Sequence, residues 1–361
     1  MAIDLGTRAV KAVYVQRKGE GFDLVNFVIH ELPVPDKTSA ASTPRGITIG
    51  QAGEGADHSI PRGEPYATQL RAVSQKLGAR TRHAVLAVGV GDSLLRWAEF
   101  PLVPISDMRT LLKFNAKTYL QQDLPDHVFD CHILASTAGP AAPEAAKGPP
   151  KCKALVTAAK RQFVEDLQNA AKDAGWSVAH IVPGMIGPAN ALESAKPMVF
   201  AKEVVALVDI GFKHSSISIV QDGELKMGRV VSLGGDRLTS GLADALSVSY
   251  TEAEGIKIGL SDEVQGPLQA LLVPLGRELR ASIDFFEHQQ DRTVAQVFVS
   301  GGSARSTFIV QSLQSELMVN CQTWNPAANM NLVLPPAQMA EFEHAAPQLA
   351  VAIGAALAAV Q

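Results

Sequence analysis

The sequence is short of everything that marks an exported, membrane-spanning or nucleic-acid-binding chain. Its 361 residues hold three cysteines, Cys131, Cys152 and Cys321. An odd, widely spaced set suggests neither a disulfide framework nor a zinc knuckle, and it fits reduced cytosol. Neither charge sign is in large excess, the formal net charge being -4, so overall charge gives no reason to expect nucleic acid or an anionic membrane as partner, local patches aside. No positively charged start leads into an apolar core, and the most apolar tail, Leu349–Val360, is too short and too rich in Ala and Gly to span a bilayer. Any membrane association is therefore expected through a partner, without direct insertion. No Gly-Lys dipeptide occurs, which excludes a Walker loop. Gly89-Val90-Gly91 lacks the third glycine of a dinucleotide fingerprint, and the nine histidines show no metal-ligand spacing. Cys131 and His132 are adjacent, but neighbours on a strand point to opposite faces, so they make no thiol-imidazole pair.

What is present is a 47% apolar chain long enough for two domains, each with its own core. Residues 2–29 and 204–231 resemble each other. Ala2-Ile3-Asp4-Leu5-Gly6 and Leu207-Val208-Asp209-Ile210-Gly211 each end an apolar strand with Asp-x-Gly, where glycine permits a sharp reversal. A second strand follows in both, Val10–Val15 and Ser216–Val220, then a turn at Gly19-Glu20 or Asp222-Gly223, then a third strand, Phe22–Val28 or Leu225–Val231. Each half thus opens with a three-stranded meander.

Helical periodicity follows both meanders. Gln162–Ala174 repeats apolar residues on one face and meets Gly175 at its end. Thr251-Glu252-Ala253-Glu254 reads as a capping box opening a helix through Ile258. Leu271, Leu272, Leu275, Leu279, Ile283 and Phe286 mark a longer helix, and Val297-Phe298-Val299 a buried strand. Residues 34–65 and 137–151, rich in Pro, Gly and Ala, show no period and are expected to be surface loops. Between them, strands at His83–Val90, Leu94–Phe100 and Val128–Leu134 and a helix from Ser106 to about Gln122 outline a subdomain.

Phosphates need donors that approach closely, which turns of glycine and hydroxyl residues supply. Gly6-Thr7 with Lys11 would form one jaw on a triphosphate, and Gly211 through Ser215 the other. Asp4 and Asp209 would sit beside Mg2+, accepting hydrogen bonds from its water shell. A single Asp-x-Gly is more often a plain hairpin corner, but two copies opening two halves favour a shared site. Ser300-Gly301-Gly302-Ser303, after a buried strand, adds a backbone-accessible loop suited to adenosine and the α-phosphate.

In order and spacing these residues resemble the actin, sugar-kinase and heat-shock-chaperone ATPase superfamily, and more closely the PilM family of type IV pilus assembly, over nearly the whole chain. Asp4–Lys11 is similar to the family's first phosphate loop, and Asp209-Ile210-Gly211 with Ser215 to its second. Gly234-Gly235-Asp236 resembles the entry to the upper subdomain, Glu254 and Lys257 the adenine-side helix, Gly301-Gly302-Ser303 the adenosine loop, and Ala350–Gly354 the closing helix. Leu95–Pro101 lies where PilM proteins have a strand ending in a Pro-containing turn, which separates PilM and FtsA from actin.

The resemblance implies an α/β, actin-like (ribonuclease H-like) duplicated fold with an inserted subdomain in its first half. It divides the chain into a first domain at 1–82 and 151–200, the insertion at 83–150, a second domain at 201–235 and 292–361, and subdomain 2B at 236–291. It implies ATP and Mg2+ as cofactors. The implied function is that of a cytoplasmic adapter docking the N-terminal segment of a PilN-like inner-membrane protein, with other pilus or secretion components as further candidates. Arg8 and Ala9 replace the family's small hydroxyl residues, and Lys213 stands among small ones; each cation either offsets triphosphate charge or points to solvent. Val182-Pro183-Gly184-Met185 lacks the acidic residue the family commonly places near the attacking water, so at most slow hydrolysis is expected. The rivals are a small-molecule kinase of this fold, which usually has an aspartate base in its first half and a longer chain, and an FtsA-like filament protein, which wants a basic amphipathic C-terminal helix absent from Leu357–Gln361. A nucleotide-free relative like the cytoplasmic part of GspL is a third.

Overall fold

Strand pairing makes the repeat in the sequence visible as two sheets of one design. The computed structural model describes residues 1–33, 65–79, 81–134, 150–259 and 262–360; the two expected surface loops fall almost wholly outside the described residues. In the first half, β1 (Ala2–Leu5), β2 (Ala9–Lys18) and β3 (Gly21–Glu31) form the meander, and α1 (Tyr66–Leu77) leads to β4 (His83–Val88), which lies parallel to β1. A smaller unit follows, with β5 (Leu94–Pro101), α2 (Ile105–Leu120), β6 (His127–Ile133) and β7 (Lys151–Lys160). The chain then returns through α3 (Arg161–Asp173) to β8 (Ser177–Pro183), parallel to β4, and on through α4 (Gly187–Ala195) and α5 (Pro197–Lys202).

The second half repeats the plan: β9 (Val204–Ile210), β10 (Ser215–Gln221) and β11 (Glu224–Val231) form its meander. The helices α6 (Gly235–Leu246), α7 (Tyr250–Gly259) and α8 (Asp262–Gln290) precede β12 (Gln296–Ser300), parallel to β9. After α9 (Thr307–Leu317), β13 (Cys321–Thr323) pairs parallel with β12. The chain closes with β14 (Asn331–Leu332), α10 (Pro336–Ala345) and α11 (Ala350–Val360). Among the described residues the first sheet runs β14-β3-β2-β1-β4-β8 and the second β11-β10-β9-β12-β13. With β14 set aside, order and strand sense are the same.

Period-2 alternation explains the layering. Ala2 on β1, and Val205 and Leu207 on β9, face one central core shared with α4 and α11. Ile3 and Leu5 face an outer core under α1 and α3, while Val204, Ala206, Val208 and Ile210 face another under α8 and α9. Asp4 therefore shares a face with Ala2, and Asp209 with Leu207: both carboxylates belong to the layer between the sheets.

Several placements differ from the sequence reading, because pairing is non-local. β4, expected in the insertion, has five of its six residues buried and lies between β1 and β8, as a strand apolar on both faces requires. The inserted sheet is β5-β7-β6, with β7 antiparallel to both neighbours, so this unit runs to Lys160. β14 pairs with β3, and α11 packs on β1, β2 and α4, which returns the end of the chain to the first half. The apolar face of α8 joins the core of the second sheet, while Leu242, Ala253 and Val264 make a small core between α6, α7 and α8.

By composition alone the run Pro336–Val360 is long enough to cross a bilayer, yet 61% of its most apolar window is buried. Its small residues have a packing reason: Gly354 of α11 crosses Gly187 of α4 in backbone contact, and a Cβ on Gly187 would meet the Val351 Cα at 2.7 Å.

The capping box of α7 also sits elsewhere. Ser249 and Glu252 form it, with Glu252 accepting from the Ser249 N–H at 2.9 Å while the Ser249 hydroxyl accepts from the Glu252 N–H at 3.2 Å. Glu254, the acid of the expected box, is engaged within the site described below. On the same helix Gly255 is exposed, and nothing lies within 4 Å of a Cβ built there. Gly255→Ala is therefore expected to stabilise the protein by about 0.4–1 kcal/mol, read as a rise in the denaturation midpoint at unchanged slope; a fall would mean that α7 needs glycine flexibility.

Candidate functional site

The two Asp-x-Gly corners share one floor. Lys11 lies directly across the β1–β2 ladder from Asp4, and its Nζ donates to Asp4 Oδ2 at 2.7 Å, the two side chains being only 16% and 8% exposed. Burial works against the Lys11 ammonium, but Asp4 and, from the other half, Asp209 outweigh it and hold its pKa above the usual lysine value. Asp209 accepts from Ser300 Oγ at 2.9 Å, the residue facing it in parallel register on β12. Burial pushes the Asp209 carboxyl above the ordinary carboxylate range, with Lys11 and Ser300 opposing and Asp4 assisting. A Cβ on Gly6 would lie 3.7 Å from Lys11 Nζ. Gly6 and Gly211, two residues beyond Asp209, thus flank the same carboxylate-lysine-carboxylate cluster, and Thr7 is exposed at the first corner.

The second half brings its glycines together around the other corner. The Gly235 and Asp236 N–H groups donate to the carbonyls of Gly211 and Phe212, both at 2.9 Å, tying α6 to the turn. Gly234 packs on those carbonyls, and a Cβ on Gly235 would sit 3.0 Å from Ser303 Oγ and 3.8 Å from Lys257 Nζ. Gly301 has φ +93, a left-handed conformation that favours glycine, and its Cα lies against Ile210. Gly302 is exposed beside it, and Ser303 is buried. Ser215 is fully buried and donates to the Leu233 carbonyl at 2.6 Å, so its hydroxyl holds the approach to Gly234.

Behind Gly235, Lys257 Nζ donates to Glu254 Oε2 at 2.7 Å and to Thr239 Oγ1 at 2.8 Å. The single Thr239 proton is shared between the Gly235 carbonyl and the Glu254 carboxylate. Burial depresses the Lys257 pKa, with Glu254 opposing. Thr239→Val keeps the shape but leaves the ammonium with one acceptor fewer, so it is expected to lower stability by roughly 1–2 kcal/mol. Urea denaturation measures this, and an unchanged midpoint would show that Lys257 needs only Glu254.

The two unusual cations are held outside this cluster. Arg8 bonds the Leu32 carbonyl and lies 3.3 Å from Glu31, and Lys213 bonds Asp236 at 2.7 Å. Sequence reasoning missed Ser300 as the partner of Asp209, Thr239 between Lys257 and Glu254, and Tyr250, whose hydroxyl donates to Asp236 at 2.9 Å. The S-x-x-E pattern at Ser249–Glu252 was a readable signal only for the true cap of α7, and nothing local pointed to Ser300, Thr239 or Tyr250.

A duplicated α/β fold with one aspartate from each half gathered on the same lysine is the arrangement of an actin-like protein. The family model described as type IV pilus assembly protein PilM matches residues 47–360. The chain belongs to the PilM family. It is similar to a solved chain of a PilM-PilN type IV pilus biogenesis complex, with a TM-score of 0.77 and 21% identity over 99% of this chain and 98% of that one. It also resembles MreB5 of Spiroplasma citri bound to ADP, with a TM-score of 0.50 and 11% identity over 99% and 94% of the two chains. Cell division protein FtsA of Bacillus subtilis (strain 168) is 42% identical over 53 residues, 15% of this chain, and the match spans 12% of FtsA.

Proposed function

We propose that this chain binds ATP with Mg2+ in the cleft and serves as a cytoplasmic adapter of a type IV pilus or related secretion machine, docking the N-terminal segment of a PilN-like inner-membrane protein. The observation that carries the nucleotide reading is Lys11, bonded to Asp4 of one half and drawn electrostatically to Asp209 of the other. An anion entering between Gly6-Thr7 and Gly211 meets that ammonium and the N–H groups of both corners. Gly234, Gly235, Gly301, Gly302 and Ser303 offer close backbone approach to the adenosine, with Glu254 and Lys257 at its adenine side.

The donor set fits Mg2+ as well. Asp4 and Asp209 set two carboxylates on one little-exposed floor, where they would accept hydrogen bonds from the water shell of the ion, and the burial that raises the Asp209 pKa is a penalty that a divalent cation relieves. When bound, the ion neutralises charge on the phosphate oxygens. For hydrolysis, the end of β8 and the turn after it offer Val182, Pro183, Gly184 and Met185, none with a side chain able to orient or deprotonate a water, with Gly184 against the Val88 carbonyl and Met185 buried. Turnover is expected to be slow, so that the work is done by binding.

The partner reading is supported by the family and by the PilN in the complex of the similar chain. Such a partner recruits the protein to the inner face of the membrane. Calorimetric titration with Mg-ATP tests the first half of the proposal, and retention on the immobilised cytoplasmic N-terminal peptide of the organism's own PilN, with and without ATP, tests the second. No heat removes the nucleotide and leaves the adapter; no retention under either condition removes the adapter.

A further inference from the structure

The inserted sheet meets both lobes at Gly228 of β11. A Cβ on Gly228 would lie 2.6 Å from the sulfur of Met185, which follows β8 of the first half, and 3.2 Å from the ring of Trp97 on β5. The Trp97 indole N–H donates to the Leu225 carbonyl of β11 at 3.1 Å. One glycine without a side chain thus lets the inserted sheet, the second sheet and the turn after β8 touch. Trp176 and Trp324, by contrast, are buried within the lobes, 7% and 5% exposed.

A second contact joins the same strand to the nucleotide corner. Gly91, in the turn that leads into β5, lies against the imidazole of His214, and a Cβ there would sit 2.7 Å from His214 Cε1. His214 belongs to the corner between Gly211 and Ser215. From that corner β10 runs antiparallel to β11, from Ser215 opposite Val231 to Gln221 opposite Glu224. The approach to β5 therefore touches the corner directly, and its middle touches β11, the strand paired with the one that leaves that corner.

We propose that β5 is a strut carrying nucleotide-driven movement of the second lobe into the inserted sheet, with Trp97 as its coupling residue. This rests on the nucleotide reading of the cleft. When the Gly211–His214 corner closes on phosphate, β11 shifts with it, and the Trp97 contacts oblige β5 to follow. β7, antiparallel to β5 along its whole length, spreads the shift through the sheet. The cleft and the inserted unit then share one two-state element, which is what coupling between separate sites requires.

Amide hydrogen exchange with saturating Mg-ATP tests the strut, with binding measured separately by calorimetry. In the wild type, protection is expected to rise at residues 211–215 and also in β5 and β7. Trp97→Phe keeps a ring but loses the donor to Leu225, and Gly228→Val wedges the junction. Both variants are expected to bind ATP within about threefold of wild type while the added protection in β5 and β7 falls by at least half. Exchange without ATP reports whether the inserted sheet of each variant is folded, and Trp97→Phe serves alone if Gly228→Val is not. Undiminished protection in the variants, or none in β5 of ATP-bound wild type, overturns the strut and leaves the nucleotide site standing. No calorimetric heat overturns both.

Discussion

Gly354→Ala is expected to lower the melting temperature by on the order of 10 °C, the largest effect of a methyl added at any of the described glycines. The added Cβ would fall on the Gly187 carbonyl of α4, and the atoms nearest to it are all backbone. No side chain can turn aside, so the two helices must separate. Overpacking costs about 1–3 kcal/mol where neighbours relax; here the upper end or beyond is expected, and each kcal/mol is worth about 2–4 °C in lobes of this size. Gly187→Ala attacks the same crossing from the other side, against Val351 Cα at 2.7 Å and its carbonyl oxygen at 2.8 Å. The two substitutions are expected to be non-additive, because either one already parts the helices. Calorimetric scans of the singles and the double decide it: additive losses, or a loss below about 2 °C for Gly354→Ala, would mean the crossing is loose enough to accept a methyl.

That crossing also shows where reading the sequence stops. The Ala/Gly run at Leu349–Val360 was legible as a closing helix, but its partner lies in the other half of the chain, and composition does not reveal which glycine faces which. The Asp-x-Gly corners were legible because a sharp reversal needs glycine and strand alternation fixes the side on which the aspartate emerges. Ser300 was not, since its register against Asp209 joins strands 91 residues apart. β4 was misplaced for the same reason: chain order sets it beside the insertion, while its buried residues find their neighbours in β1 and β8. At α7 two overlapping S/T-x-x-E frames were available, and local rules do not choose between them. The choice is made by Lys257, which needs Glu254 as its counter-ion.

Asp209→Asn is expected to leave the fold as stable as wild type and to weaken Mg-ATP binding by about tenfold to a hundredfold, the equivalent of roughly 1.5–3 kcal/mol. Asparagine keeps an oxygen for the Ser300 hydroxyl, and Lys11 keeps its bond to Asp4. The pKa direction supports the stability half. A carboxyl raised in the folded state binds its proton more tightly there than in the unfolded chain, so its ionisation subtracts stability as pH rises from the unfolded value through the folded one. Neutralising Asp209 removes that penalty, partly offset by the attraction Lys11 loses, and the melting temperature at neutral pH should stay within about 3 °C of wild type. The binding half depends on charge: an amide accepts a hydrogen bond but does not balance a divalent ion. Titration with ATP in excess Mg2+ and again in EDTA separates the two. If Asp209 stands beside the metal, the variant loses the advantage Mg2+ gives the wild type and changes little in EDTA. Equal weakening under both conditions would assign the carboxylate to orienting Lys11 instead, and a fall of 10 °C in melting temperature would show that the pair is structural.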